Sequence, residues 1–148
     1  MGRIGRVVAN DTAVNMRHIQ RRVDTMEAEA LALIDSLPDL QTQMAIVTSV
    51  NGIAKKTGSR ILAELSTLPG DMKANQWVAY AGLDPRPYES GTSTNKPRRI
   101  TKAGNRYLRD ALYFPALVAS QKDKHVSAYY QKMIKAGKKP MQAIVAIM

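Results

Sequence analysis

The chain has 148 residues, 45 % of them apolar and 23 % charged, which is enough apolar content for one packed domain, or for a small domain carrying a helical arm. It has no Cys, which excludes disulfides, thiolate metal sites, iron–sulfur clusters and a Cys nucleophile, and its two histidines, His18 and His125, offer little to a Ser–His–Asp triad or a metal site. The net charge of +10 lies in one half: residues 1–85 carry nine basic and nine acidic side chains, and residues 86–148 carry thirteen basic and three acidic. Such a basic half points to a polyanion, nucleic acid before an anionic membrane, with a merely solubilising charge excess as the alternative. No apolar run reaches the roughly 20 residues that span a bilayer, and the N-terminus lacks a signal-peptide core, so a cytoplasmic protein is expected.

Met16, Ile19, Val23, Met26, Ala30, Leu33 and Leu37 alternate at spacings of three and four, a heptad seam over about three heptads. The pattern predicts a long helix over about 12–36, with Asp11-Thr12 as its N-cap and Pro38 closing it. The seam's partner is a second copy of the chain or a helix of the same chain. A short apolar helix over about 40–48 follows, then Ser49-Val50-Asn51-Gly52-Ile53-Ala54 and a helix to Leu65. The segment 44–66 is similar to a helix-hairpin-helix. Gly52 permits the turn, and the next helix's N-terminus, with Lys55 and Lys56, is suited to a phosphate. Ala54 stands where that motif usually has a second glycine, and an ordinary helical hairpin is the alternative.

Leu68-Pro69-Gly70-Asp71 reads as a turn with Asp71 as N-cap, and 73–81 as a short helix burying Trp77, Val78 and Tyr80 and ended by Gly82. Residues 83–102 read as one long basic, hydroxyl-rich loop with Arg86, Lys96, Arg98, Arg99 and Lys102, suited to phosphate contact. A helix over 103–120 is expected to turn Leu108, Leu112, Phe114, Leu117 and Val118 to the core, with a kink at Pro115. Arg106 and Arg109 share a face in it, as candidates to grip a phosphate or as a solvated helix face, and Asn105 either caps it or hydrogen-bonds DNA. A helix over 126–136 ends at Gly137, and an apolar segment over 141–148 stops without a cap, as in a piece of a longer protein. The fold expected is all-α: a coiled-coil-like helix in 1–37, then a compact helical domain in 38–148.

Several motifs occur in one order. They are Asn51-Gly52-Ile53, then Ala79-Tyr80-Ala81-Gly82-Leu83-Asp84-Pro85, then Glu89-Ser90-Gly91-Thr92-Ser93. Ile100-Thr101-Lys102-Ala103-Gly104-Asn105-Arg106-Tyr107-Leu108-Arg109 follows, with Tyr129-Tyr130 and Gly137-Lys138-Lys139-Pro140 after it. The series resembles the C-terminal domain of insertion sequence 110 family transposases, the DEDD-type group that includes the Piv DNA invertases. The likeness covers roughly residues 12–148.

The resemblance implies a DNA transposase or site-specific recombinase. Its N-terminal RuvC-like domain, absent from this chain, would hold Mg²⁺ through carboxylates; none of that metal is expected on this chain. It implies a structured guide RNA that selects DNA, a coiled coil joining the domains, homo-oligomers, and a nucleoid-associated bacterial protein. It implies a serine nucleophile at Ser90, with Ser93 the nearby alternative; Gly52, Gly91 and Gly104 are the candidate turn glycines. No His lies near Ser90 in sequence to activate it, so its activation falls to the missing carboxylates and metal. A non-catalytic nucleic-acid-binding module and a coiled-coil adaptor stand as the competing readings.

Overall fold

In the computed structural model residues 2–86 and 99–148 are described, and among them the chain is all-α, with seven helices and no strand. They are α1 (Arg3–Ser36), α2 (Pro38–Thr48), α3 (Lys55–Leu65), α4 (Ala74–Tyr80), α5 (Arg106–Lys122), α6 (Lys124–Lys135) and α7 (Pro140–Ile147). Two compact units divide the chain, one up to Thr42 and one from Gln43 to Met148.

The first unit is dominated by α1, 34 residues and about 50 Å long. It starts at Arg3, not near residue 12, because Asp11 and Thr12 are used inside the helix. The Thr12 hydroxyl donates to the Val8 carbonyl at 2.9 Å, and an Asp11 carboxylate oxygen accepts from Asn15 at 3.2 Å. Neither is then left to cap. Of the seam, Met16, Ile19, Val23, Met26, Leu33 and Leu37 are exposed, and Ile34, outside the seam, is the helix's one buried residue.

In the second unit α5 packs against α3, α6 and α7, and α6 against α7. Ile61, Ala81, Leu83 and Leu108 form its buried centre, joined by Leu65, Tyr80, Ile100, Leu112 and Val145. Phe114 and Val118 are not core residues: they are 70 % and 40 % exposed. The buried side of α5 runs instead through Leu108, Pro115, Ala116, Ala119 and Ser120, whose small side chains let neighbouring elements come close. On a 3.6-residue period Phe114 and Val118 then fall outside that side. On α4, Trp77 and Tyr80 are half-buried and Val78 is exposed.

Other boundaries move for local reasons. The N-cap of α4 is Lys73, not Asp71, because the Gln76 side chain reaches back to accept from the Lys73 backbone N–H at 2.7 Å. α5 begins at Arg106 and not at Ala103, since the Asn105 side chain accepts from the Leu108 N–H at 2.9 Å. α6 begins at Lys124, capped by Asp123.

The turn between α2 and α3 is packed onto α5. Gly52 has φ +99°, and a Cβ there would stand 2.8 Å from the Pro115 carbonyl oxygen and 3.1 Å from Val118 Cβ. Its missing side chain therefore serves contact within the fold. Asn51 Nδ2 completes the attachment by donating to Asp123 Oδ2 at 3.0 Å. The other oxygen of Asp123 accepts from the His125 and Val126 N–H groups at 2.9 and 3.0 Å.

These bonds favour the ionised carboxylate. The Val126 N–H first, then Asn51, hold the Asp123 carboxyl below its ordinary value of 3.8. A depressed folded-state value stabilises the fold above that ordinary value, and the contribution is lost as pH falls through the folded value. The denaturation midpoint of the wild type should therefore exceed that of Asp123→Ala by a margin that is constant near neutrality and shrinks as pH falls below about 4. Chemical denaturation followed by circular dichroism checks this; a margin independent of pH would contradict it.

Candidate functional site

The two long motifs of the second half are the two sides of one clasp. α4 ends with the Gly82 N–H on the Ala79 carbonyl at 2.9 Å and the Leu83 N–H on the Val78 carbonyl at 3.0 Å. These 6→1 and 5→2 bonds close the helix and send the chain across the returning segment. There Lys102 N–H donates to Gly82 O at 3.1 Å, Thr101 N–H to Asp84 O at 2.9 Å, and Arg86 N–H to Arg99 O at 2.7 Å. Pro85 and Ile100 form an isolated antiparallel bridge between them. The Thr101 hydroxyl donates to the Asp84 carboxylate at 2.6 Å.

Gly104 sits at the tightest point. A Cβ on it would lie 2.0 Å from the Tyr80 carbonyl oxygen and 2.5 Å from the Gly82 nitrogen, both backbone atoms that cannot step aside. Next to it, Asn105 N–H donates to the Tyr80 carbonyl at 2.6 Å, and Asn105 Nδ2 donates to the Tyr80 hydroxyl at 2.9 Å and to Glu64 Oε2. One side chain thus starts α5 and ties it to α3 and α4. Asn105 fills the capping role of the two foreseen for it. Arg109 Nη1 donates to the Ala81 carbonyl at 2.8 Å and reaches the Gly104 carbonyl at 3.5 Å.

Arg106 and Arg109 are therefore different in kind. Arg109 is half-buried and spends its guanidinium on the clasp. Arg106 has an 80 % exposed side chain, facing Asp110 across 3.5 Å. Lys102 holds φ +54°, a left-handed backbone unusual for a residue with a side chain. Arg86, Arg99, Lys102 and Arg106 are all exposed, so the stem carries four cations into solvent.

Ser90, Gly91, Ser93, Lys96 and Arg98 lie outside the described residues. The two ends of their segment are Arg86 and Arg99, paired through the backbone. Lys55 and Lys56 stand apart from the stem in sequence, exposed in the first turn of α3, whose N-cap Ala54 makes no side-chain bond. Sequence reasoning left Lys132, Lys135, Lys138 and Lys139 off the site, though four lysines within eight residues were plain to see; all are exposed where α6 gives way to α7. It also left out Glu64 and Tyr80, which no local spacing connects to Asn105.

An all-helical domain whose two motif-bearing segments clasp the base of a basic serine segment is the class of structure at hand. The comparisons give it a family: residues 44–131 match the family model of the transposase IS116/IS110/IS902 family, and the chain belongs to that family. It is 30 % identical over 142 residues to the pilin gene-inverting protein of Moraxella bovis, covering 95 % of this chain and 44 % of that protein. An insertion element IS110 protein of 43.6 kDa from Streptomyces coelicolor is 28 % identical over 88 % of this chain and 30 % of its own length. An insertion element IS900 protein of 42 kDa from Mycobacterium paratuberculosis is 30 % identical over 84 % of this chain and 31 % of its own. The chain thus spans less than half the length of these relatives. Among the described residues no helix is long and apolar enough to cross a membrane.

The clasp predicts which substitutions unfold the domain. Gly104→Ala should cost about 3 kcal/mol and lower the Tm by roughly 10 °C or more. Arg109→Ala strips a charged donor from a buried carbonyl and should cost about 1.5–3 kcal/mol, whereas Arg106→Ala should stay within about 0.5 kcal/mol of wild type. Thermal melts read by circular dichroism check all three; an Arg106 variant as unstable as the Arg109 variant would refute the distinction.

Proposed function

We propose that this chain is the nucleic-acid-gripping, serine-bearing part of a DNA transposase or site-specific recombinase. The observation that carries the reading is the clasp. It fixes both ends of a segment of about 12 residues that contains Ser90-Gly91, with an arginine at each end. A hydroxyl nucleophile must meet phosphorus in line with the leaving oxygen, and a segment tied at both ends limits how far that hydroxyl can stray. In the step proposed, the Ser90 oxygen bonds to phosphorus as a DNA bridging P–O bond breaks. The serine gives up its proton, the departing sugar oxygen gains one, and a second DNA hydroxyl later displaces the serine. Ser93 is the alternative nucleophile.

Arg86, Arg99 and Lys102 are assigned to phosphate contact, together with Lys96 and Arg98. Lys55 and Lys56, in the uncapped first turn of α3, are assigned a second backbone contact in the manner of a helix-hairpin-helix. Among the described residues no three His, Asp or Glu side chains converge on a metal position. We assign Mg²⁺ to carboxylates of a RuvC-like domain outside this chain. A structured guide RNA in the full complex, an inactive isolated domain, and a place beside the DNA in a bacterial cytoplasm belong to the same reading. A relative named for inverting a pilin gene supports recombination.

The test compares the longer parent protein with its Ser90→Ala and Ser93→Ala variants on element DNA, probing for a protein–DNA adduct that survives denaturation. Loss of adduct and product with Ser90→Ala alone is expected; recombination by both variants would overturn the serine assignment.

The exposed seam of α1 favours one addition: a homo-oligomer through a coiled coil. Six large apolar side chains in heptad register and open to water are costly unless covered. Sedimentation of the 148-residue chain at about 50 μM should show a dimer that Val23→Glu with Leu33→Glu converts to monomer. A monomeric wild type would remove this part.

A further inference from the structure

The outer face of α5 holds large rings that the fold does not use. Tyr107 is 74 % exposed and Phe114 70 %. Seven residues apart, they fall nearly in line on the helix, about 10.5 Å from each other along its axis. Ala111, half-buried against the core, lies between them. The Phe114 ring is steadied edge-on by Tyr113, with centroids 5.4 Å apart and planes at 74°; Tyr107 has no ring partner among the described residues. Aromatic rings left this bare, one in the first turn of α5 and one at its middle, add nothing to the core.

Their surroundings indicate what covers them. Arg106 and Lys102, both exposed, precede Tyr107 in sequence, and Arg99 and Arg86 lie further along the stem. The one acidic group on this part of the helix, Asp110, is already faced by Arg106. A protein partner of ordinary composition wants a continuous dry patch, whereas rings on a helix that leaves a stem with exposed Lys102, Arg99 and Arg86 suit a chain of stacked bases on phosphates. In a duplex the faces of the bases are stacked on one another. An exposed ring can therefore take only an unpaired base, and the axial separation of Tyr107 and Phe114 equals about three base steps.

We infer that the Tyr107–Phe114 face of α5 is a stacking platform for single-stranded DNA, with Lys102 and Arg106 holding its phosphates. The inference rests on the proposed recombinase reading, because strand exchange is what presents unpaired DNA beside the clasp. It names residues that act on bases, where that reading named residues that act on phosphates.

The experiment measures binding of the full 148-residue chain to fluorescein-labelled oligothymidylate, its RNA counterpart and a DNA duplex by anisotropy, for wild type, Tyr107→Ala, Tyr107→Trp and Phe114→Ala. Each alanine variant should bind oligothymidylate about tenfold more weakly, with duplex affinity changed less than about twofold. Tyr107→Trp should keep or improve single-strand binding. Unchanged Tms show that these exposed positions leave the fold intact. Equal loss on single strand and duplex, no loss on either, or tighter binding of the RNA would each overturn the platform. If the variants match a wild type that still binds duplex, the platform alone fails. A wild type that binds no nucleic acid at all fails both the platform and the DNA-binding part of the recombinase reading. A specific protein complex lost on Tyr107→Ala, with DNA binding untouched, would reassign the face to a protein partner.

Discussion

The second unit depends on one close approach between backbones, where Gly104 lies against Tyr80 and Gly82. No side chain fits between them, and the hydrogen bonds that follow require that distance. Asn105 then reaches the Tyr80 carbonyl and hydroxyl and Glu64, which sets where α5 starts and in which direction. Arg109 satisfies the carbonyl of Ala81, a residue only 2 % exposed. Polar groups at the centre of so small a core are tolerable because they are paired; any one left alone would cost as much as several buried methyl groups return.

This arrangement separates inward-facing from solvent-facing residues within a single motif. In Lys102-Ala103-Gly104-Asn105-Arg106-Tyr107-Leu108-Arg109, the glycine, asparagine, leucine and second arginine face inward and hold the clasp or the core. The lysine, first arginine and tyrosine face solvent. Positive charge alone did not make that division. Both arginines lie in the basic half, yet one is spent on backbone carbonyls and the other is exposed, paired with Asp110 at the surface. The reason is position relative to the start of α5: Arg109 lies one residue after Leu108, on the side turned toward the end of α4, and Arg106 is on the side turned away.

Charge and apolar exposure are distributed in the same sense. The neutral first half carries a long helix with an apolar seam, suited to another helix. The basic second half carries the returning side of the clasp, the exposed rings and the lysines around the α6–α7 corner. A long-range field from such a half draws polyanions to it, and the contacts that sort them are short-range.

The sequence by itself determined the helical class, the heptad seam, the turn at Gly52, the end of α4 at Gly82 and the basic half. All of these follow from local periodicity, backbone freedom or a count of charges. Its motifs also carried the family. It misjudged the starts of α1, α4 and α5, because capping groups such as Asp11, Asp71 and Gln76 compete for partners that only the folded backbone brings near. It placed Phe114 and Val118 inside, because an apolar residue on a helix reports its face only once the neighbouring helices are known. Only tertiary structure decided that Asn105 and Arg109 are clasp residues, that Arg106 stays exposed beside Asp110, and that Gly52 is pressed against α5. Those roles depend on contacts across tens of residues, with Tyr80, Ala81, Glu64 and Pro115, and no spacing along the chain encodes which of several equally polar groups will meet.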